Sequence, residues 1–303
     1  MRVRILGSAA GGGLPQWNCN CPNCAAARAG APTVRRRTQT SLAVSADGET
    51  WYLVNATPDI REQLAAFPAL HPGPGVRETP VRGVLLTDAE LDHTGGLLVL
   101  REGSRWRLFC TPAVRAVLER RFPVLPILQA FAQVEVVPVL PGEPFALGEG
   151  AASLRVTAFP LLGGLPLYAA DLPDPGPGAV VGYRFEDPRT GGVLVVAPGV
   201  GALTAELERQ LAGADCVLFD GTCWSDDELV RLGIRGRTAR AMGHVPVGGP
   251  DGSAVWLARQ PVRRKIYIHV NNTNPMVRED GPEYRWLAAH GLEVAHDGME
   301  VEL

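Results

Sequence analysis

Four side chains able to bind a metal, Asp88, Glu90, Asp92 and His93, fall within one six-residue stretch between the apolar runs 83–86 and 97–100. Solvated charge spreads over a face, whereas this cluster sits where a strand runs out and a helix begins, so its donors converge on one point. Carboxylate and imidazole together suit divalent first-row metals, and the spacing predicts a metal site. A second group of donors, Cys19, Cys21 and Cys24, crowds into another short loop. Three thiolates on one tight loop predict a structural zinc, whose tetrahedron must take a fourth ligand from elsewhere. The rival reading leaves three buried thiols and no metal.

The elements that must position these residues are short. Strands are predicted over 3–6, 41–45, 51–54, 81–86, 134–139, 154–159, 180–185, 193–196, 216–219 and 266–270, from β-branched or aromatic runs punctuated by turn residues. Helical spacing marks 112–122, 126–133, 204–211, 226–232, 254–260 and 283–289. Many strands follow one another without an intervening helix. Layer rules then favour an α/β fold of two packed sheets with helices outside, a four-layer αββα sandwich, over a doubly wound parallel sheet. The turn-rich stretches 71–75 and 172–178 read as surface loops, so one domain over residues 1–303 is expected.

The chain has 303 residues, 46% of them hydrophobic and 20% charged, enough to bury a large core. Its net charge of −3 offers no field for nucleic acid, and the run Arg35-Arg36-Arg37 is expected to be a solvated loop. No signal peptide is read at the start, and no stretch approaches the roughly 18 apolar residues of a membrane helix. A cytoplasmic protein without membrane insertion is expected, in a compartment where disulfides are rare. Cys110, Cys216 and Cys223 lie in or beside apolar runs and read as small buried hydrophobes.

The Gly-rich turn 7–13, the cluster 88–93, Phe219-Asp220-Gly221-Thr222 and Ile268-His269 occur in the order that resembles the metallo-β-lactamase superfamily. Its His-x-His-x-Asp-His signature has Asp88 and Glu90 here in place of the two leading histidines, with Asp92 and His93 kept. Ordinary members hold a pair of metals. The resemblance implies that one half of that pair has lost its nitrogen ligands, since none of His71, His93, His244, His269, His290 and His296 falls between 94 and 243. What survives is Asp92, His93 and His269, with Asp220 able to help. Two imidazoles and one carboxylate with positions left open match the facial set of non-haem Fe(II) oxygenases. Asp88, Glu90 and His244 are then assigned to orienting ligands or moving protons. In phosphodiesterase relatives a similar cysteine loop is completed three positions past the last active-site histidine. Here that position is Asn272, a poor zinc ligand, so a neighbouring side chain or water stays open as the fourth.

Residues 17–24, 88–94, 219–222, 242–246 and 269–275 are together similar to the B-protein family of pyrroloquinoline quinone biosynthesis, end to end. That resemblance implies a protein needed to make this redox cofactor, with a small-molecule quinone precursor derived from Glu and Tyr as substrate. It further implies hydroxylation of the tyrosine ring with iron and O2, and other proteins of the pathway as partners. A carrier of the finished cofactor and a metallo-hydrolase are the alternatives. A carrier has no need of open metal positions, and missing histidines weigh against a hydrolytic metal pair, so the enzyme is favoured.

Overall fold

Alternation along each strand divides the apolar side chains between two layers. Val193, Val195 and Ala197 face one layer with Val217, Phe219 and Tyr267, while Leu194 and Val196 face another with Cys216, Leu218 and Ile266. In this computed structural model residues 1–102, 105–150, 153–234 and 236–303 are described. The first sheet holds β1 (Arg2–Gly7), β2 (Ser41–Ser45), β3 (Trp51–Val54), β4 (Val81–Leu85), β5 (Trp106–Cys110), β6 (Val134–Pro138) and, from the far end of the chain, β14 (Glu300–Glu302). The second holds β7 (Pro144–Leu147), β8 (Leu154–Pro160), β9 (Val181–Glu186), β10 (Val193–Ala197), β11 (Cys216–Asp220), β12 (Arg264–Ile268) and β13 (Leu292–Val294). Their orders are β14-β1-β2-β3-β4-β5-β6 and β13-β12-β11-β10-β9-β8-β7.

Between the sheets lies one apolar layer, with Ile5, Val54, Leu85 and Phe109 meeting Val156, Tyr183, Leu218 and Ile268. Helices Ile60–Ala65, Pro112–Arg120 and Val124–Phe131 cover the outer face of the first sheet. Ala205–Leu211, Ser253–Ala258 and Pro282–Ala289 cover that of the second. This is the αββα sandwich expected from the sequence. β4, β11 and β12 lie in the parallel parts of their sheets, and the segments leaving their carboxyl ends supply most of the chemistry-bearing residues. Such ends are where open α/β sheets place their ligands.

Two expectations are corrected. Arg37 is buried, only 4% exposed, because its backbone pairs with Leu14 and turns the side chain inward. Its guanidinium donates to Ser8 Oγ at 3.1 Å and to the Ala295 carbonyl, while Arg35 stays outside beside Glu279. The strand read over 266–270 stops at Ile268, since the ladder with β11 ends at the Asp220 and Ile268 pair. Cys110, Cys216 and Cys223 are buried as expected, and burial pushes the first two thiols up to about 12.

Gly7 shows how tightly the first turn is packed. A Cβ there would overlap the Gln39 carbonyl oxygen and the Gln63 amide, neither of which can retreat from its own hydrogen bonds. Gly7→Ala is expected to destabilise the fold by about 3 kcal/mol, read as a lower denaturation midpoint; an unchanged midpoint would contradict this packing.

Candidate metal centre

Past β4 the chain turns through Thr87 and Asp88 into the one-turn helix Leu91–Thr94. Asp88 is buried and sets both carboxylate oxygens 2.8 Å from His93 Nδ1. Thr87 Oγ1 donates to Asp88 Oδ2 at 2.8 Å and the Glu90 amide donates to Oδ1 at 2.9 Å, so the carboxylate is fully engaged. Burial opposes the Asp88 charge, but the His93 ring outweighs it and holds the carboxyl below its ordinary range. Pinning Nδ1 in this way aims Nε2 at the cleft. His93 Nε2 is buried and has no hydrogen-bond partner, an arrangement that costs free energy unless an electrophile meets it.

Asp92 Oδ2 lies 3.9 Å from that nitrogen. The same oxygen lies 3.3 Å from His269 Nε2. Gly11 of the Gly-rich turn presses on this carboxylate, and a Cβ there would stand 3.2 Å from Oδ2. His269 follows β12 with φ of +56°, a left-handed conformation that costs a non-glycine residue of order 1 kcal/mol. One ligand atom each from Asp92, His93 and His269 can be chosen so that all lie within 4.8 Å of one another. Burial lowers the His93 pKa, yet Asp88 and Asp92 more than offset it, to about 9. A cation at this point must displace that proton, so its affinity falls as the pH drops.

β11 supplies the opposing wall. Asp220 is fully buried; its Oδ2 accepts from the Val200 amide at 2.8 Å and faces His244 Nδ1 at 2.7 Å. Its Oδ1 accepts from Thr222 N at 3.0 Å and Thr222 Oγ1 at 2.6 Å. Thr222 Oγ1 in turn lies 2.8 Å from His269 Nδ1, so Asp220 steers His244 directly and His269 through one hydroxyl. The His244 ring stacks on His269 with centroids 5.4 Å apart. Asp220, His244 and His269 also converge within 4.8 Å, but Asp220 already has both oxygens in hydrogen bonds. Glu90 faces the cleft; desolvation there, with Asp88 and Asp92 alongside, pushes its carboxyl up to about 7. The cleft holds about 820 Å³ and is lined by all of these carboxylates and imidazoles except the more deeply set Asp220.

Cys19, Cys21 and Cys24 converge within 4.8 Å beside the cleft. Cys21 caps the helix Pro22–Arg28, which fixes Cys24 in its first turn. The Asn272 side-chain amide lies 3.1, 3.6 and 3.3 Å from the sulfurs of Cys19, Cys21 and Cys24. Amide oxygen and nitrogen are nearly isosteric, so a half-turn of this group places Oδ1 over the three thiols as a fourth donor. Sequence reasoning quoted Thr222 within its motif but gave it no role, although a hydroxyl two residues past an aspartate is a known turn pattern. It singled out the Gly-rich turn but gave Gly11 no role of its own, and it passed over Tyr168, whose hydroxyl donates to the Ala89 carbonyl inside the site turn.

Residues 50–270 match the family model described as a β-lactamase superfamily domain, the class that this fold and site define. The Coenzyme PQQ synthesis protein B of Azoarcus sp. is 46% identical over 307 residues, covering 100% of both chains. That of Pseudomonas aeruginosa is 46% identical over 305 residues with the same coverage. The chain belongs to the coenzyme PQQ synthesis protein B family. Among solved structures, Zn(2+)-bound PqqB from Methylobacterium extorquens superposes with a TM-score of 0.91 at 42% identity over 100% of both chains. A diphosphatase of the PhnP family reaches a TM-score of 0.67 at 20% identity, over 100% of this chain and 98% of its own, and shares the fold.

Asp88→Ala is expected to leave the fold intact while weakening zinc or iron affinity in the cleft about 10- to 100-fold, measured by competition against a chelator. Unaltered affinity would show that His93 needs no such support. Replacing Cys24 with serine is expected to remove about one equivalent of tightly held zinc and lower the melting temperature; a variant that keeps its zinc and its melting temperature would return the trio to plain buried thiols.

Proposed function

We propose that this protein acts in the biosynthesis of pyrroloquinoline quinone, hydroxylating a tyrosine-derived precursor with O2 at a single Fe(II) held by Asp92, His93 and His269. The observation that carries the reading is the buried, unpartnered His93 Nε2 in a cluster where Asp92 and His269 each offer a ligand atom within 4.8 Å. The printed names of the full-length relatives support the pathway. Support for one metal comes from Asp88 and Asp220, whose oxygens are committed to hydrogen bonds that a second cation would have to break. A structural zinc on Cys19, Cys21 and Cys24, with Asn272 above them, belongs to the same proposal.

When bound, Fe(II) supplies open coordination positions at which O2 is activated. The chain's own residues do the rest. Asp88 and the Asp220–Thr222 pair orient the imidazoles, and the apolar residues Leu162, Val180 and Met242 help to exclude water. Glu90 and His244 line the same cleft and are assigned the proton transfers at the substrate phenol. Such a hydroxylation would turn one ring C–H into C–OH with one atom of O2 and release the other as water, taking two electrons and two protons from an external two-electron reductant. Among the described residues no helix is long and apolar enough to cross a membrane. The pathway named for the relatives implies that the precursor arrives from other proteins of that pathway.

His93→Ala and His269→Ala are each expected to abolish iron-dependent incorporation of oxygen from 18O2 into a tyrosine-containing substrate, with circular dichroism unchanged. Turnover that persists without O2 would move the assignment to a hydrolase, and tight binding of the finished cofactor without turnover would move it to a carrier.

A further inference from the structure

The thiol cluster and the cleft are tied to one segment, residues 269–274. Asn272, whose side chain rests on all three thiols, is also held by its carbonyl: Asn23 Nδ2 donates to it at 3.0 Å and Cys21 Sγ reaches it at 3.6 Å. The same buried Asn23 amide donates to the Asn274 carbonyl at 3.0 Å. On the cleft side Asn274 Nδ2 donates to the Gly221 carbonyl at 2.9 Å, and Asn271 N donates to the Thr222 carbonyl at 3.0 Å. Val270, next to His269, exchanges backbone hydrogen bonds of 3.0 and 2.9 Å with Ser8 and Ala10 of the Gly-rich turn. That turn carries Gly11, packed on Asp92, and runs on to Gln16, whose amide donates to Cys24 Sγ at 3.4 Å. His269 and Asp92 are therefore both held by stretches of chain that also hold the thiols.

We infer that the two sites are thermodynamically coupled through this segment: zinc on Cys19, Cys21 and Cys24 raises the affinity of the cleft for a divalent cation, and a cation in the cleft raises the affinity of the thiols for zinc by the same factor. The equality of the two effects is a requirement of linkage. The element with two arrangements is the Asn272 amide, which donates N–H to the sulfurs in one and, after a half-turn, offers Oδ1 to zinc in the other. Ligation through Oδ1 fixes a side chain three residues from His269, whose left-handed backbone persists only where its surroundings enforce it. Order imposed by the first metal need not be imposed again by the second, so the coupling is positive. This inference rests on reading the thiols and the cleft as metal sites, and it needs no particular reaction there.

The test is titration with Mn(II), which seeks oxygen and nitrogen donors and leaves thiolate-bound zinc in place. Binding is followed by the electron paramagnetic resonance signal of the free aqua ion, in the full chain stripped of metal and in the same chain holding one zinc shown by its sulfur neighbours in X-ray absorption to sit on the thiols. The zinc-holding chain is expected to bind Mn(II) about fivefold or more tightly. Asn272→Ala with zinc on its thiols is expected to lose that gain, a comparison with the zinc-holding wild type that stands even if the stripped chain does not fold. Equal Mn(II) affinities with and without thiol zinc, or wild-type affinity in the zinc-holding Asn272→Ala chain, would overturn the inference while leaving the cleft site intact. Mn(II) that does not bind, or whose binding His93→Ala fails to weaken, would remove the cleft site and the inference with it.

Discussion

The contact between Asp88 and His93 Nδ1 is the constraint around which the cleft is organised. A buried carboxylate beside a buried imidazole is tolerated only when every remaining lone pair is satisfied, so the surroundings of Asp88 are dictated in turn. Thr87 supplies a hydroxyl, and its own position is fixed from both sheets. Asn55 just past β3 exchanges hydrogen bonds of 3.0 Å with it, and the Val181 amide of β9 donates to its carbonyl at 2.8 Å. The loop after β3 grips the helix as well, with Ala56 N donating to the His93 carbonyl at 2.8 Å and Gly96 N donating to the Ala56 carbonyl at 2.9 Å. One imidazole direction therefore engages three strands from two sheets.

The second sheet solves the same problem with different atoms. Asp220 holds His244 as Asp88 holds His93, while Thr222 extends its reach to His269. The two halves of the site face each other through the 3.3 Å approach of Asp92 to His269. A cation seated there would neutralise the carboxylate and occupy the unpartnered nitrogen together, joining one sheet to the other at their carboxyl ends. The cysteine cluster makes a parallel connection, because Asn272 lies three residues beyond His269 and its side chain rests on all three thiols. Order at the thiols and order at the cleft are thus transmitted through one short segment.

Much of this was legible in the residues themselves. Strands such as 41–45 and 51–54 carry β-branched and aromatic residues between turn signals, and their predicted limits match β2 and β3. β13 and β14 escaped because three-residue edge strands leave no periodicity to read. β7 begins on a proline, which sequence reasoning treats as a break. The helix Pro22–Arg28 was hidden because its first turn doubles as the cysteine loop. At the site, crowding of donors pointed to Asp92 and His93. It could not say that Asp88 would turn toward His93 while Glu90 turned toward the cleft, because two residues of rotation in an irregular turn decide that. Arg37 misled for a similar reason, since a bridge to Leu14 sets its direction and leaves no mark in local composition.

The proposed function places two metals of different kinds on one chain, a zinc among thiols and a single iron among imidazole and carboxylate. X-ray absorption at both edges on protein isolated anaerobically tests it most directly. The expected result is a zinc edge dominated by Zn–S distances of about 2.3 Å and an iron edge with nitrogen and oxygen neighbours only and no metal partner. A metal–metal distance of about 3.5–4 Å at either edge, or zinc with nitrogen and oxygen neighbours alone, would contradict it.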